Sequence, residues 1–176
     1  MTAATTRLLV DLNRSPGHRN VFSEFSRELP AAERDAVMRK YYAPYRETIE
    51  RFVDRAERSG RFVLHISAHS FTPVLNGETR RADLGLLYDP RRRGERSFAT
   101  AWLAELKARA PQLVVRRNYP YRGTSDALVT HLRRRHGERS YAGIELEVNQ
   151  KFAAATGWSA LIATLSDALA AAVATR

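Results

Sequence analysis

The feature that most constrains the fold of this chain is an alternation. Short apolar runs that suit buried strands are separated by segments whose apolar residues recur at helical spacing. The runs fall at 7–11, 61–67, 83–88, 113–117 and 141–148, and the helical segments at 31–40, 45–58, 97–109, 125–134 and 159–174. This pattern predicts an α/β fold, a three-layer α/β/α sandwich with a mostly parallel or mixed central sheet. A break is expected at Pro44, after which Ile49, Phe52, Val53 and Ala56 share one face that packs on the sheet. The same spacing recurs with Phe98, Trp102, Leu103 and Leu106, with Leu128, His131 and Leu132, and with Leu161, Leu165 and Leu169. Ser125 and Ser159 are placed to cap their helices. Gly60, Asn76-Gly77, Pro90 and Gly137 mark turns, and no linker interrupts the pattern, so one domain over 1–176 is expected. The run at 7–11 is as apolar as a central strand, so the sheet would start in its middle unless a segment upstream is missing or later strands flank it.

Composition narrows the chemistry. The chain has no cysteine, which excludes disulfides, thiolate nucleophiles and Cys-ligated metals; any metal must be held by His, Asp, Glu or water. It contains no apolar run of membrane-spanning or signal-peptide length, so neither export nor a membrane partner is expected and a cytoplasmic location is. The net charge of +10 comes almost wholly from arginine, with clusters at 91–93 and 133–135 that could draw phosphates. Arginine nevertheless alternates with acidic residues throughout, as in Glu47/Arg51, which is the pattern of a solvated, paired face. With no aromatic-plus-basic strand motif beside the charge, nucleic-acid binding is not expected.

Ligands of open α/β sheets gather at the carboxyl ends of strands. Three apolar runs end in polar groups: Asp11-Leu12-Asn13-Arg14, His65-Ile66-Ser67-Ala68-His69-Ser70, and Glu145-Leu146-Glu147-Val148-Asn149. Arg14 offers a guanidinium fork that matches a carboxylate, either of an anionic ligand or of a structural partner such as Asp11 or Glu24. His65 and His69 are four apart, which on a strand is roughly 13 Å, too far for one zinc ion. His69, read as lying past the strand end, is the better candidate ligand. Glu145 and Glu147 are two apart and so share one strand face; near a metal-bound water one would act as general base, whereas on an exposed edge strand both would simply be hydrated.

Taken in order, these segments resemble the N-formylglutamate amidohydrolase family over residues 7–152. The resemblance rests on Leu9-Val10-Asp11-Leu12-Asn13-Arg14-Ser15-Pro16, His69-Ser70-Phe71 with Asn76-Gly77, Arg81-Ala82-Asp83-Leu84-Gly85-Leu86, Asn118-Tyr119-Pro120-Tyr121 with Gly123, and Gly143-Ile144-Glu145-Leu146-Glu147-Val148-Asn149-Gln150. It implies a fold like that of the zinc carboxypeptidases and a zinc-dependent amidohydrolase that removes the N-formyl or other N-acyl group of glutamate or a related acidic amino acid, giving formate and the free amino acid. It implies Asn13 and Arg14 for the substrate carboxylate, His69 for zinc, and a glutamate of the Glu-Leu-Glu run as base. Glu145 matches the carboxypeptidase pattern and Glu147 the deformylase-like one; Glu147 is the one chosen here. Asp83 and Tyr121 are implied to shape the pocket, with a turn-capping aspartate and a core tyrosine as equal alternatives. The family's N-terminal histidine-bearing segment has no counterpart in this sequence, so the remaining zinc ligands are not found in the chain. An inactive homologue that binds a carboxylate or peptide is the alternative expectation.

Overall fold

The computed structural model describes residues 4–153 and 156–175. In chain order the elements are α1 (Ala31–Val37), a π-helical turn (Met38–Tyr42), α2 (Ala43–Arg58), β1 (Val63–Phe71), β2 (Val74–Leu75), β3 (Glu78–Thr79), β4 (Leu84–Leu87), α3 (Arg93–Arg109), β5 (Val115–Arg117), α4 (Leu128–Arg135), β6 (Tyr141–Asn149), a 3-10 turn (Gln150–Phe152) and α5 (Trp158–Ala174). They fall into two compact units, Met1–Val63 with Asp126–Tyr141 and Leu64–Ser125 with Ala142–Arg176.

The second unit carries a mixed four-stranded sheet, ordered β1-β6-β4-β5, with helices against it. Strand β4 runs parallel to β5 and antiparallel to β6. The Val63 amide meets the Ser140 carbonyl just before β6, and Gln150 just after it meets Ser70, so β1 and β6 run the same way. Strand alternation divides the sheet into two unlike faces. Leu64 and Ile66 of β1, Ile144, Leu146 and Val148 of β6, and Leu84 and Leu86 of β4 join one apolar cluster. Phe98, Trp102 and Leu106 of α3 and Leu161, Leu165 and Ala168 of α5 complete it. Each large side chain buried there contributes about 1.5–3 kcal/mol. The alternate residues, His65, Ser67 and His69 of β1 and Glu145 and Glu147 of β6, take the other face.

The first unit has two smaller cores. Val53 and Ala56 of α2 pack with Val63, Leu128, Leu132 and Tyr141, and Val10, Leu12, Val21 and Tyr42 form the second.

Several sequence expectations are corrected. Residues 7–11 are not a strand: 7–9 form a turn, the Leu9 and Val10 amides fold back to the Thr6 carbonyl, and the run buries Val10 in the small cluster instead of a sheet. The four sheet strands all lie between Val63 and Asn149, so that run gives no reason to place the sheet's start at residue 7. Pro44 does not break its helix. The π-helical turn just before it re-registers the backbone, and Pro44 sits in the first turn of α2, where its missing N–H is not needed. Phe52 stays exposed while Val53 and Ala56 are buried. Neither serine caps a helix: α4 begins only at Leu128 and α5 one residue before Ser159.

The arginine clusters prove to be largely paired. Arg91 binds Asp89, Arg92 lies 3.3 Å from Glu95, Arg135 reaches Glu50 and Asp54, and Arg133 is buried. No helix of the described residues is long and apolar enough to cross a membrane.

Candidate active site

Strand β6 is central, and all nine of its positions are buried. Glu145 and Glu147 are therefore only 5% and 6% exposed, which sets aside the picture of two hydrated carboxylates on an edge. Burying a carboxylate costs free energy unless the surroundings answer its charge, so two on one face mark a place where the sheet is built for more than packing.

His69 does not follow the strand; it is part of it. Strand β1 continues to Phe71 because it keeps pace with β6, each nine residues long, and the alternation of polar Ser67 and His69 with Ile66 and Ala68 fits a half-buried strand better than a loop. Its Nε2 lies 3.7 Å from Glu145 Oε1 and 2.9 Å from Ser67 Oγ. In a serine-nucleophile relay the hydroxyl and the carboxylate take opposite ring nitrogens. Here both approach Nε2, so Ser67, His69 and Glu145 do not form such a relay.

Glu147 stands across from Gly85. That glycine is required by a close approach: a Cβ there would lie 1.9 Å from the Tyr119 carbonyl oxygen and 3.3 Å from Glu147 Cβ. The segment bearing Tyr119 is pinned by Asn118, whose amide donates to the Leu86 carbonyl and whose Oδ1 accepts the Tyr88 and Gly123 amides. Gly123 is equally constrained, since a Cβ would meet Tyr88 backbone atoms at 2.1–2.6 Å. The Asn-Tyr-Pro-Tyr motif thus lays its backbone over the sheet beside Glu147. Tyr121 follows, 42% exposed, with its hydroxyl accepting from Arg80 Nη1 at 3.1 Å. Asp83 is buried and structural: it accepts the Val114 amide and pairs with Lys151.

In the first unit, Asn13 and Arg14 are engaged locally. Asn13 Oδ1 accepts the Leu128 amide at the first residue of α4, supplying the cap expected of Ser125. Arg14 Nη1 donates to the Asp126 carbonyl at 2.7 Å, and its Nε lies 3.8 Å from Asp11, one of the structural partners anticipated. Ser15 binds the Asp126 carboxylate through both amide and hydroxyl. Burial works to raise the pKa of Asp126, yet those bonds, with His18 and Arg14 nearby, hold it below the ordinary aspartate value. The Arg14 carbonyl accepts from the Tyr42 hydroxyl and from buried Arg46. Burial above all pushes the Tyr42 pKa up to about 12.

Arg46 and Asp126 were missed by sequence reasoning. Arg46 was the findable one, since it interrupts the apolar stripe of Tyr42, Ile49 and Val53 at helical spacing, where an arginine needs buried acceptors. Two other histidines are committed elsewhere: His131 lies 3.1 Å from Glu50, and His136 between Asp54 and Glu57.

A catalytic zinc takes three protein ligands and one open position. Among the described residues no group of three or more His, Asp or Glu side chains is placed to hold a metal ion. His69 and its glutamates do not by themselves fit a complete zinc site.

No curated protein matches the chain. Among solved structures, a gene product of Agrobacterium tumefaciens is similar at 30% identity and TM-score 0.71, over 93% of this chain and 68% of that one. The N-formylglutamate amidohydrolase of Ralstonia eutropha has the same fold at TM-score 0.69 and 21% identity, over 94% of this chain and 73% of its own. The family pattern described as N-formylglutamate amidohydrolase matches residues 1–154, and the chain belongs to the N-formylglutamate amidohydrolase family.

Proposed function

We propose that the chain hydrolyses the N-formyl or N-acyl amide of glutamate or a related acidic amino acid, releasing formate or the corresponding acid and the free amino acid. One observation carries this reading beyond family membership: a buried carboxylate, Glu145, stands 3.7 Å from the imidazole of His69 on the polar face of the sheet. A carboxylate so placed takes a proton from water as the water adds to the acyl carbon, then passes it to the departing amine. Of the two glutamates, Glu145 lies 3.7 Å from His69 and is the base we favour; Glu147, chosen from the sequence, stands across from Gly85 beside the Tyr119 backbone. By family resemblance zinc would polarise the acyl oxygen, with His69 as its ligand in this chain, but one imidazole is not a zinc site. The resemblance implies Asn13 and Arg14 for the substrate carboxylate; in the first unit both are already engaged, by the Leu128 amide and the Asp126 carbonyl, so the proposed chemistry is placed on the second unit alone.

The donor count favours a second reading, a non-catalytic binder of acidic amino acids or peptides. Formate release from N-formylglutamate, measured with metal content, separates the two. Turnover lost in Glu145→Gln supports the hydrolase; binding without turnover in the unaltered chain leaves the binder.

A further inference from the structure

Arg80 has no role in the sequence reading, yet its setting is unusual for a surface arginine. It leaves the β2–β3 hairpin, whose turn places Asn76 and Gly77 at positive φ, and its amide donates to the Pro73 carbonyl at 2.8 Å, closing the hairpin at its base. Its own carbonyl accepts from Asn149 Nδ2 at the end of β6. The backbone is therefore held on both sides. The guanidinium is held as well: its carbon lies 5.2 Å from the Tyr121 ring centre and 5.9 Å from that of Phe71, and Nη1 donates to the Tyr121 hydroxyl. Phe71 is 1% exposed, so this stack rests on a fixed floor. Among the described residues no carboxylate pairs with Arg80. An arginine normally loses side-chain entropy when it binds a ligand; this one has lost much of it already, and keeps most of its five donors for something else.

Its neighbours place it at the site. Phe71 is two residues beyond His69 on the same strand face, a spacing of roughly 7 Å. Tyr121 follows the Tyr119 carbonyl that covers Gly85 beside Glu147. An extended glutamyl side chain spans about 6 Å from its amide carbonyl carbon to its distal carboxyl carbon.

We infer that Arg80, stacked by Phe71 and Tyr121, binds a carboxylate of the ligand whose amide is presented to His69 and Glu145. The inference rests on the proposed site and deepens it by naming a specificity residue within the second unit. The guanidinium edge takes the carboxylate in a planar, two-point pairing, and Tyr121 sets the plane of the fork.

Calorimetric titration with N-acetylglutamate and N-acetylglutamine tests this without requiring turnover. Arg80→Gln is expected to weaken N-acetylglutamate binding on the order of ten- to hundredfold. If the distal carboxylate is the one held, N-acetylglutamine binds weakly to the unaltered chain and the substitution barely alters it. If the α-carboxylate is held, both ligands lose equally. Arg80→Lys, which keeps the charge and loses the fork, falls between, and its circular dichroism reports folding. Equal affinity for N-acetylglutamate in the unaltered chain and in folded Arg80→Gln, or no binding by the unaltered chain at millimolar ligand, overturns the inference. Failure of the hydrolase reading is a separate result, since it shows as absent formate with Arg80-dependent binding intact.

Discussion

The Asn13-Arg14 loop and the polar face of the sheet look alike in sequence, each an apolar run ending in charged or amide groups, but the structure uses them differently. In the loop the polar atoms are engaged within the fold, mostly by backbone: Asn13 caps α4 and Arg14 binds the Asp126 carbonyl, while Ser15 binds the Asp126 carboxylate. On the sheet, Glu145 and Glu147 are held by strand alternation inside a buried strand, and Arg80 is stacked on aromatic rings with no carboxylate partner among the described residues. A polar group whose neighbours are main-chain amides and carbonyls organises the fold. Arg80, positioned by packing against Phe71 and Tyr121, keeps donors for a ligand.

The sharpest break in that comparison is kinetic. Glu145→Gln should lower formate release by about two to four orders of magnitude while leaving the melting temperature nearly unchanged. Glu147→Gln measured beside it should do less; the reverse ranking would return the base to Glu147.

Gly85→Ala should be the most damaging change to stability, because the new methyl has no room beneath the Tyr119 carbonyl. A loss of about 3 kcal/mol is expected in denaturant titration. A silent Gly85→Ala would mean the 118–123 segment is not fixed over the sheet.

Asn13→Ala removes a cap from α4 and should cost about 1 kcal/mol. If it instead leaves stability intact and abolishes ligand binding, the loop is a binding element after all and the contrast drawn above fails.

The smallest effect is a pH dependence in the first unit. Burial chiefly, then Arg46, holds the His131 pKa below its ordinary 6.5, so the folded chain favours the neutral ring. As pH falls below about 6.5 the unfolded chain takes up the proton first, and stability declines until the folded value is passed. His131→Gln should flatten the fall in melting temperature between about pH 7 and 5. Glu57 adds a second, more acidic loss: the Ser140 and His136 hydrogen bonds hold its pKa below 4.5, so its contribution is present above that value and disappears beneath it.

Much of this molecule was legible without coordinates. The alternation of periods marks the α/β class, the two-residue spacing places Glu145 and Glu147 on one face, Asn76-Gly77 marks the hairpin, and the ordered motifs identify the family. These are properties of short windows or of a linear series, where the period of the backbone alone decides which way side chains face. Tertiary structure decided the rest. It made 7–9 a turn, carried β1 through His69, brought Glu145 to that histidine, and set Arg80 between Phe71 and Tyr121. Asn13 finds its partner 115 residues away and Arg80 its tyrosine 41 away. Such pairings depend on which segments the packed core brings together, and a local pattern carries no record of a distant partner.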